Sequence, residues 1–360
     1  MLFSVARIEP ANWQQPKFIW ISSAPSRDSL SYPTYFMIAI PLNYNLHFWR
    51  RLMPTNESIL VTGAAGFIGS HTCEELVNAG YSVVGIDNLR TGKLENLDAI
   101  IDHPRFSFMP VDCRSYTMEY FFEGYLFETF HISRILHLAA LVSVPESFEK
   151  PGLNFEFNVK AVNNVALLCG KHKLKKLVFS SSASVYGDPD NNPNPLSPYA
   201  VSKLASETLI KGYASCYGFS QTCLRYFNVY GPRQDPSSSY SGVISIFSDK
   251  YKKGEGVTVY GDGEQTRDFI HVKDVARANR LALMSDENEE GNIDVCTGRS
   301  LTLNYLLSLL HHKYPRNPLP VYAEAREGDI KHSCGNHKMA ANRLGFRSGV
   351  TFEEGIAELI

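Results

Sequence analysis

The chain has no uninterrupted apolar run of about eighteen residues, so no membrane-spanning helix is expected. No cysteine belongs to a C-x-x-C pair, and the total of seven is odd. A disulfide framework and a structural zinc site are therefore not expected, and reduced thiols in a cytoplasmic protein are the simpler reading. His311 and His312 are adjacent, on different sides of an expected helix, which argues against a metal site. Charge of one sign is also missing: the formal net charge is -2. That gives no electrostatic case for a nucleic-acid or membrane partner. There is no internal repeat or low-complexity tract, and no short basic start followed by a cleavage site. What is present is 360 residues with 44% hydrophobic content. That is enough for one large α/β domain and a smaller lobe with a sizeable core.

Residues 1–56 differ from the rest. They hold all three tryptophans among scattered prolines and show neither helical nor strand periodicity. They read as an N-terminal extension, poorly ordered or artefactual, with Met53 as a candidate start. A tail packed on the surface is the alternative. From Ser58 onward strands and helices alternate. Strands are expected at 59–61, 82–86, 106–110, 135–138, 177–180 and 221–225, with helices at 66–79, 158–171 and 199–217. This implies a doubly wound parallel sheet of Rossmann type over 57–228, with ligands at the carboxyl ends of the strands. After Asn228 the elements shorten. Helices are expected at 243–253, 273–284 and 303–314 and a strand at 257–260. Residues 229–360 therefore read as mainly a C-terminal α/β substrate lobe, with some later segments returning to the sheet.

The first strand runs into Gly63-Ala64-Ala65-Gly66-Phe67-Ile68-Gly69 and then a helix. Strand, glycine turn and helix make the context a dinucleotide pyrophosphate needs. Gly63 permits the turn, Gly66 lets amides approach the phosphates, and Gly69 allows close packing. The second strand ends at Asp87, where a carboxylate can accept from ribose hydroxyls and repel a 2′-phosphate. NAD is thus expected rather than NADP, although Asp87 as a plain turn residue is the bland alternative.

Further on, Ser180-Ser181-Ser182 leaves a buried strand, and Tyr199 and Lys203 lie one turn apart on a helix. In a chain with nineteen tyrosines such a pair alone proves little. At the nicotinamide edge of the sheet, a cation beside the phenol would lower its pKa toward neutrality and make Tyr199 a general base. A polar strand-to-loop transition is the alternative for the serines.

Six motifs in order carry a family resemblance: VTGAAGFIGSH at 61–71, HLAA at 137–140, SSSASVYG at 180–187, SPYAVSK at 197–203, LRYFNVYGPR at 224–233 and RDFIHV at 267–272. The chain resembles the extended short-chain dehydrogenase/reductase family and, within it, UDP-glucose/UDP-N-acetylglucosamine 4-epimerases. The resemblance implies that Ser182 hydrogen-bonds the reacting hydroxyl, Tyr199 takes its proton, and Lys203 holds the nicotinamide ribose. It implies NAD contacts at Gly63, Gly66, Phe67, Ile68, Gly69, Asp87, Asn88, Asp112, Cys113, Ala139, Ala140, Asn158 and Tyr226, besides Tyr199 and Lys203. Substrate contacts would fall on Ser143, Ser182, Ser184, Asn228, Gln234, Arg267, Arg326, Asp329 and Ser333. The two arginines suit phosphate, although a surface salt bridge is the commoner role for either alone.

The implied reaction is internal redox at C4, in which a transient 4-keto sugar turns over and is reduced on its other face. Dehydratases of the family carry an Asp-Glu pair after the serine, whereas this chain has Ala183-Ser184, so elimination would lack its acid and base. Ser333, where a tyrosine would block N-acetyl sugars, suggests that UDP-GlcNAc and UDP-GalNAc enter as well as UDP-glucose and UDP-galactose. Family members commonly dimerise, so a homodimer is expected, through the helices after Asn158 and Tyr199. The rivals are a dehydratase or decarboxylase of the same family, and a non-catalytic NAD-binding sensor. Two departures stand out. Segment 187–197 is shorter than usual, and Val159-Lys160-Ala161-Val162 replaces a common Gly-Thr pair. Residues 173–176 (Lys-Leu-Lys-Lys) read as a solvated face.

Overall fold

The computed structural model describes residues 19–21, 36–38, 57–114, 126–187, 193–237, 242–285, 292–325 and 331–360. The chain divides into two units, Met1–Pro54 and Thr55–Ile360. In the first, β1 (Ile19–Ile21) pairs antiparallel with β2 (Phe36–Ile38), a ladder that periodicity did not reveal. The rest of the expected extension, Met53 included, lies outside the described residues, as do Arg326, Asp329 and 188–192.

In the second unit, β3 (Ser58–Thr62), β4 (Ser82–Ile86) and β5 (Phe106–Met109) step outward in one direction. β6 (Ile132–His137), β7 (Lys176–Ser182) and β8 (Ser220–Tyr226) step outward in the other. With β12 (Ile293–Val295) they form one seven-stranded sheet of order β12-β8-β7-β6-β3-β4-β5, parallel throughout. This is the Rossmann-type α/β fold. Every residue of β3 is buried, as expected of a parallel strand covered on both faces. The direction of winding reverses between β3 and β6, and a crevice opens there at the carboxyl ends.

Helix α1 (Phe67–Asn78) follows the glycine turn, and Leu76 and Val77 enter the core with Ile59 and Val61. The helical stretch expected from 158 is broken: a π-helical segment, Glu156–Lys160, precedes α2 (Ala161–Lys171). Helix α3 (Pro198–Tyr217) starts cleanly because Ser197 Oγ accepts from the Ala200 amide and Pro198 occupies the first turn. Residues 173–176 are a solvated face only in part: Lys173 and Lys175 are exposed, as the charges suggest, but Leu174 and Lys176 are not. Lys173 sits in the turn before β7, and Lys176 opens the strand, where it is buried with its ammonium on the Ser285 carbonyl.

After β8 the chain forms β9 (Asn228–Tyr230), β11 (Thr266–His271) and β13 (Ser300–Thr302), a second sheet of order β13-β11-β9. β10 (Thr258–Tyr260) pairs parallel with β14 (Val321–Ala323). A second core gathers Tyr230, Phe247, Phe269, Leu306 and Phe352. The helix Val272–Met284 instead returns to the first core through Val275, Ala278 and Leu283.

Candidate active site

The crevice at the carboxyl ends holds a cavity of about 750 Å³. One end is made largely of backbone. Gly63 has φ +71, and a Cβ there would lie 2.9 Å from the Ala139 amide nitrogen. A Cβ on Gly69 would lie 1.9 Å from the Gly63 carbonyl oxygen. No side chain fits either position, so the start of α1 sits directly against the cavity. Its first turn carries no acidic residue, which leaves the helix's positive end for an anion. Asp87 is buried: Oδ2 accepts from the Ala65 amide at 3.1 Å and Oδ1 from the Leu89 amide at 2.8 Å. Burial raises its pKa against these amides. Burial acts the same way on Asp112, but hydrogen bonds from Arg114 and Asn88 bring that carboxyl down to about 2. A crowded glycine cradle, a helix start and a carboxylate at the end of β4 are what NAD requires, so the residues present fit it.

At the other end stand the side chains of β7 and α3. Tyr199 is buried with its phenol toward Ser182, whose hydroxyl accepts from the Ser184 amide at 3.2 Å. Lys203 lies one turn on, also buried, and donates to the Ser180 carbonyl at 2.7 Å. The expected lowering of the phenol is not seen in the protein's own groups. Burial pushes Tyr199 up to about 12, with Ser182 opposing. Lys203 Nζ is 5.8 Å from the phenol ring centre, and burial brings it down to about 7 against the charge of Glu207.

Of the expected residues, Gly63, Gly66, Phe67, Ile68, Gly69, Asp87, Asn88, Asp112, Cys113, Ala139, Ala140, Ser182, Tyr199, Lys203, Tyr226 and Gln234 line this one cavity. Several others do not. Asn158 sits behind the wall, where its amide accepts from Leu141 N at 2.8 Å and donates to Leu141 O at 3.0 Å. Ser143 caps the helix Val144–Glu149, its hydroxyl taken by the Glu146 amide. The Ser184 hydroxyl is buried in a 3-10 turn. Asn228 donates to the Asp268 carbonyl and Arg267 to the Thr266 carbonyl, while Ser333 joins the backbone of Thr266. Arg267 belongs to β11, and Asn228 and Ser333 lie beside it.

Sequence reasoning missed Thr62, whose hydroxyl accepts from the Leu138 and Ala139 amides at 3.1 Å each. That hydroxyl also bonds His137 Nδ1 at 2.8 Å and so fixes the cavity wall. A threonine closing an apolar strand was the available signal. Phe157 was missed as well; the Arg114 guanidinium lies 3.6 Å from its ring centre. Lys93 and Asp235, paired at 2.6 Å across the cavity's rim, left no trace in the sequence pattern.

The family described as NAD dependent epimerase/dehydratase matches residues 59–296. UDP-glucose 4-epimerase of Mycolicibacterium smegmatis is 34% identical over 84% of this chain and 96% of its own length. The UDP-glucose 4-epimerase of Thermotoga maritima, solved with UDP-glucose, superposes with a TM-score of 0.77 at 35% identity, covering 84% of this chain and 97% of that one. UDP-N-acetylglucosamine 4-epimerase of Methanobrevibacter ruminantium, solved with UDP-N-acetylmuramic acid, gives 0.78 at 37% identity, covering 85% and 97%.

Proposed function

This chain belongs to the NAD-dependent epimerase/dehydratase family, and from that premise we propose that it inverts C4 of UDP-hexoses. The observation that carries the reading is the convergence of Ser182, Tyr199 and Lys203 on the cavity that the glycine turn opens. Bound there, NAD supplies the acceptor and donor for the C4 hydrogen. The chain's part is proton handling and orientation. Ser182 holds the C4 hydroxyl, Tyr199 takes and returns its proton, and Lys203 supplies the positive charge that favours the phenolate. Burial, opposed by Ser182, holds Tyr199 near 12, so Tyr199 would act as base only with added positive charge beside it, which NAD would supply when bound.

The turn after Ser182 carries no carboxylate, which supports inversion over elimination. Among the cavity's described lining residues the carboxylates are Asp87, Asp112 and Asp235. Two of these are committed to amides or Arg114 at the glycine-turn end, and the third pairs with Lys93. The second sheet, with Asn228, Arg267 and Ser333 around β11, is read as the sugar-nucleotide lobe, and Arg326 and Asp329 belong to the same reading. The small Ser333 supports admission of N-acetylhexosamines as well as plain hexoses. Among the described residues no helix is long and apolar enough to cross a membrane. All seven cysteines are free, which supports a cytoplasmic setting. A homodimer is part of the same reading.

Purified protein incubated separately with UDP-galactose and UDP-GalNAc should yield UDP-glucose and UDP-GlcNAc. Untouched substrate in both tubes would end the proposal, and a 4-keto-6-deoxy product would move it to the dehydratases.

A further inference from the structure

Helix α3 places three polar side chains at intervals of four residues, Tyr199, Lys203 and Glu207, on one face. Each meets one of the three serines that end β7. Tyr199 faces the Ser182 hydroxyl, Lys203 donates to the Ser180 carbonyl, and Glu207 receives the Ser181 hydroxyl. Only the first two face the cavity. Glu207 is 4% exposed and Arg225, from the neighbouring strand β8, is 7% exposed. The guanidinium grips the carboxylate with both arms, at 2.9 and 2.7 Å, and Asn292 donates to the same carboxylate. Behind it, Arg225 lies 4.7 Å from the Tyr186 ring centre, and Tyr186 donates to Asp294 at 2.7 Å. A charge taken this far from water is costly unless fully paired, and an apolar pair would fill the space at less risk. The network's use must therefore lie in what it does to its neighbours.

We propose that Glu207 is a positioning residue: its fixed negative charge, one turn beyond Lys203, keeps that lysine cationic and set against the serine strand. The inference rests on the reading of Tyr199 and Lys203 given above. Other charged or titratable groups face the pair from each packed element. Arg225 and Cys223 come from β8, His137 from β6, Tyr186 from the turn after β7, and Asp294 from β12. Of these, His137 is neutral, held well below its ordinary value at about 3 by burial. Cys223 is a buried thiol whose pKa is pushed up. Glu207 thus stands as the carboxylate of the helix next to the ammonium, with Arg225 holding its position from the far side.

The test follows the titration of Lys203 directly, in NAD-loaded protein with lysines labelled at Cε with carbon-13. Its signal is identified by disappearance in Lys203→Arg. Glu207→Gln should lower the midpoint by about one pH unit, the scale of a neighbouring opposite charge. Glu207→Asp, which keeps the charge, should leave it within about half a unit. The double change Glu207→Met with Arg225→Met removes the pair as an apolar unit, a change buried pairs tolerate, and should also lower the midpoint. With UDP-galactose, Glu207→Gln should lose about tenfold or more in kcat with KM and NAD retention kept. An unmoved midpoint in Glu207→Gln or in the double variant overturns the inference, as does an equal fall in Glu207→Asp. The resonance is read without turnover, so failure of the wild type to convert UDP-sugars remains a separate result, against the proposed function alone.

Discussion

At the glycine-turn end of the cavity, Asp87 and Asp112 are carboxylates already satisfied by backbone amides, Asn88 and Arg114. At the serine end, Tyr199 and Lys203 are buried, the lysine on a single carbonyl, and burial drives both away from their ordinary proton affinities. The first end grips through groups already paired; at the second, Lys203 lies near neutrality while Tyr199 still needs positive charge beside it to give up its proton. Binding needs preformed geometry, whereas proton transfer needs groups whose charge states lie close in energy. One fold supplies the first from its backbone and the second from a helix stripe facing a strand end.

That contrast can be broken in order of expected effect. Tyr199→Phe should cut turnover by about a thousandfold or more while NAD stays bound. Loss of NAD together with activity, read by absorbance of the released cofactor, would mean that the two ends are not separable. Gly69→Ala should do the reverse. Its Cβ would meet the Gly63 carbonyl oxygen at 1.9 Å, so the turn must shift, and NAD binding should weaken by roughly ten- to a hundredfold by titration calorimetry.

Lys203→Met sharpens the contrast through stability. The folded pKa of about 7 lies below the ordinary 10.5. Burial therefore penalises the folded state in full below about 7, and the penalty fades as pH rises toward 10.5. The variant should be more stable than wild type by on the order of a few kcal/mol at pH 6, and by much less near pH 10. Urea melts at the two pH values check the sign. The smallest effect belongs to the rim. Lys93 is exposed and Asp235 half-buried at the rim, so Lys93→Ala should speed NAD release by about twofold at low salt and not at all at high salt.

The same two ends differ in how far the sequence disclosed them. The glycine turn, the strand before it and Asp87 were legible because each imposes a residue type: no side chain fits at Gly69, and an apolar run must precede the turn. Tyr199 and Lys203 were legible as a spacing, but their proton affinities were not, because burial is set by β6, β7 and β8 together. Lys176 read as a surface charge, and nothing in the sequence pointed to a Glu207–Arg225 pair, yet all three are buried, since nothing local marks a charge whose partner lies on another strand. Strands of three residues, such as β9 and β13, carry too little alternation to be read. The placement of Ser143 and Asn158 behind the wall depends on caps and amide bonds that a motif does not contain.

The central claim is that one phenol removes and restores the proton of the C4 hydroxyl while the hydrogen on that carbon never reaches water. UDP-galactose carrying deuterium at C4, incubated with the NAD-loaded protein, tests it most directly. The account predicts UDP-glucose with the label still at C4. UDP-glucose whose label has washed into solvent would contradict it.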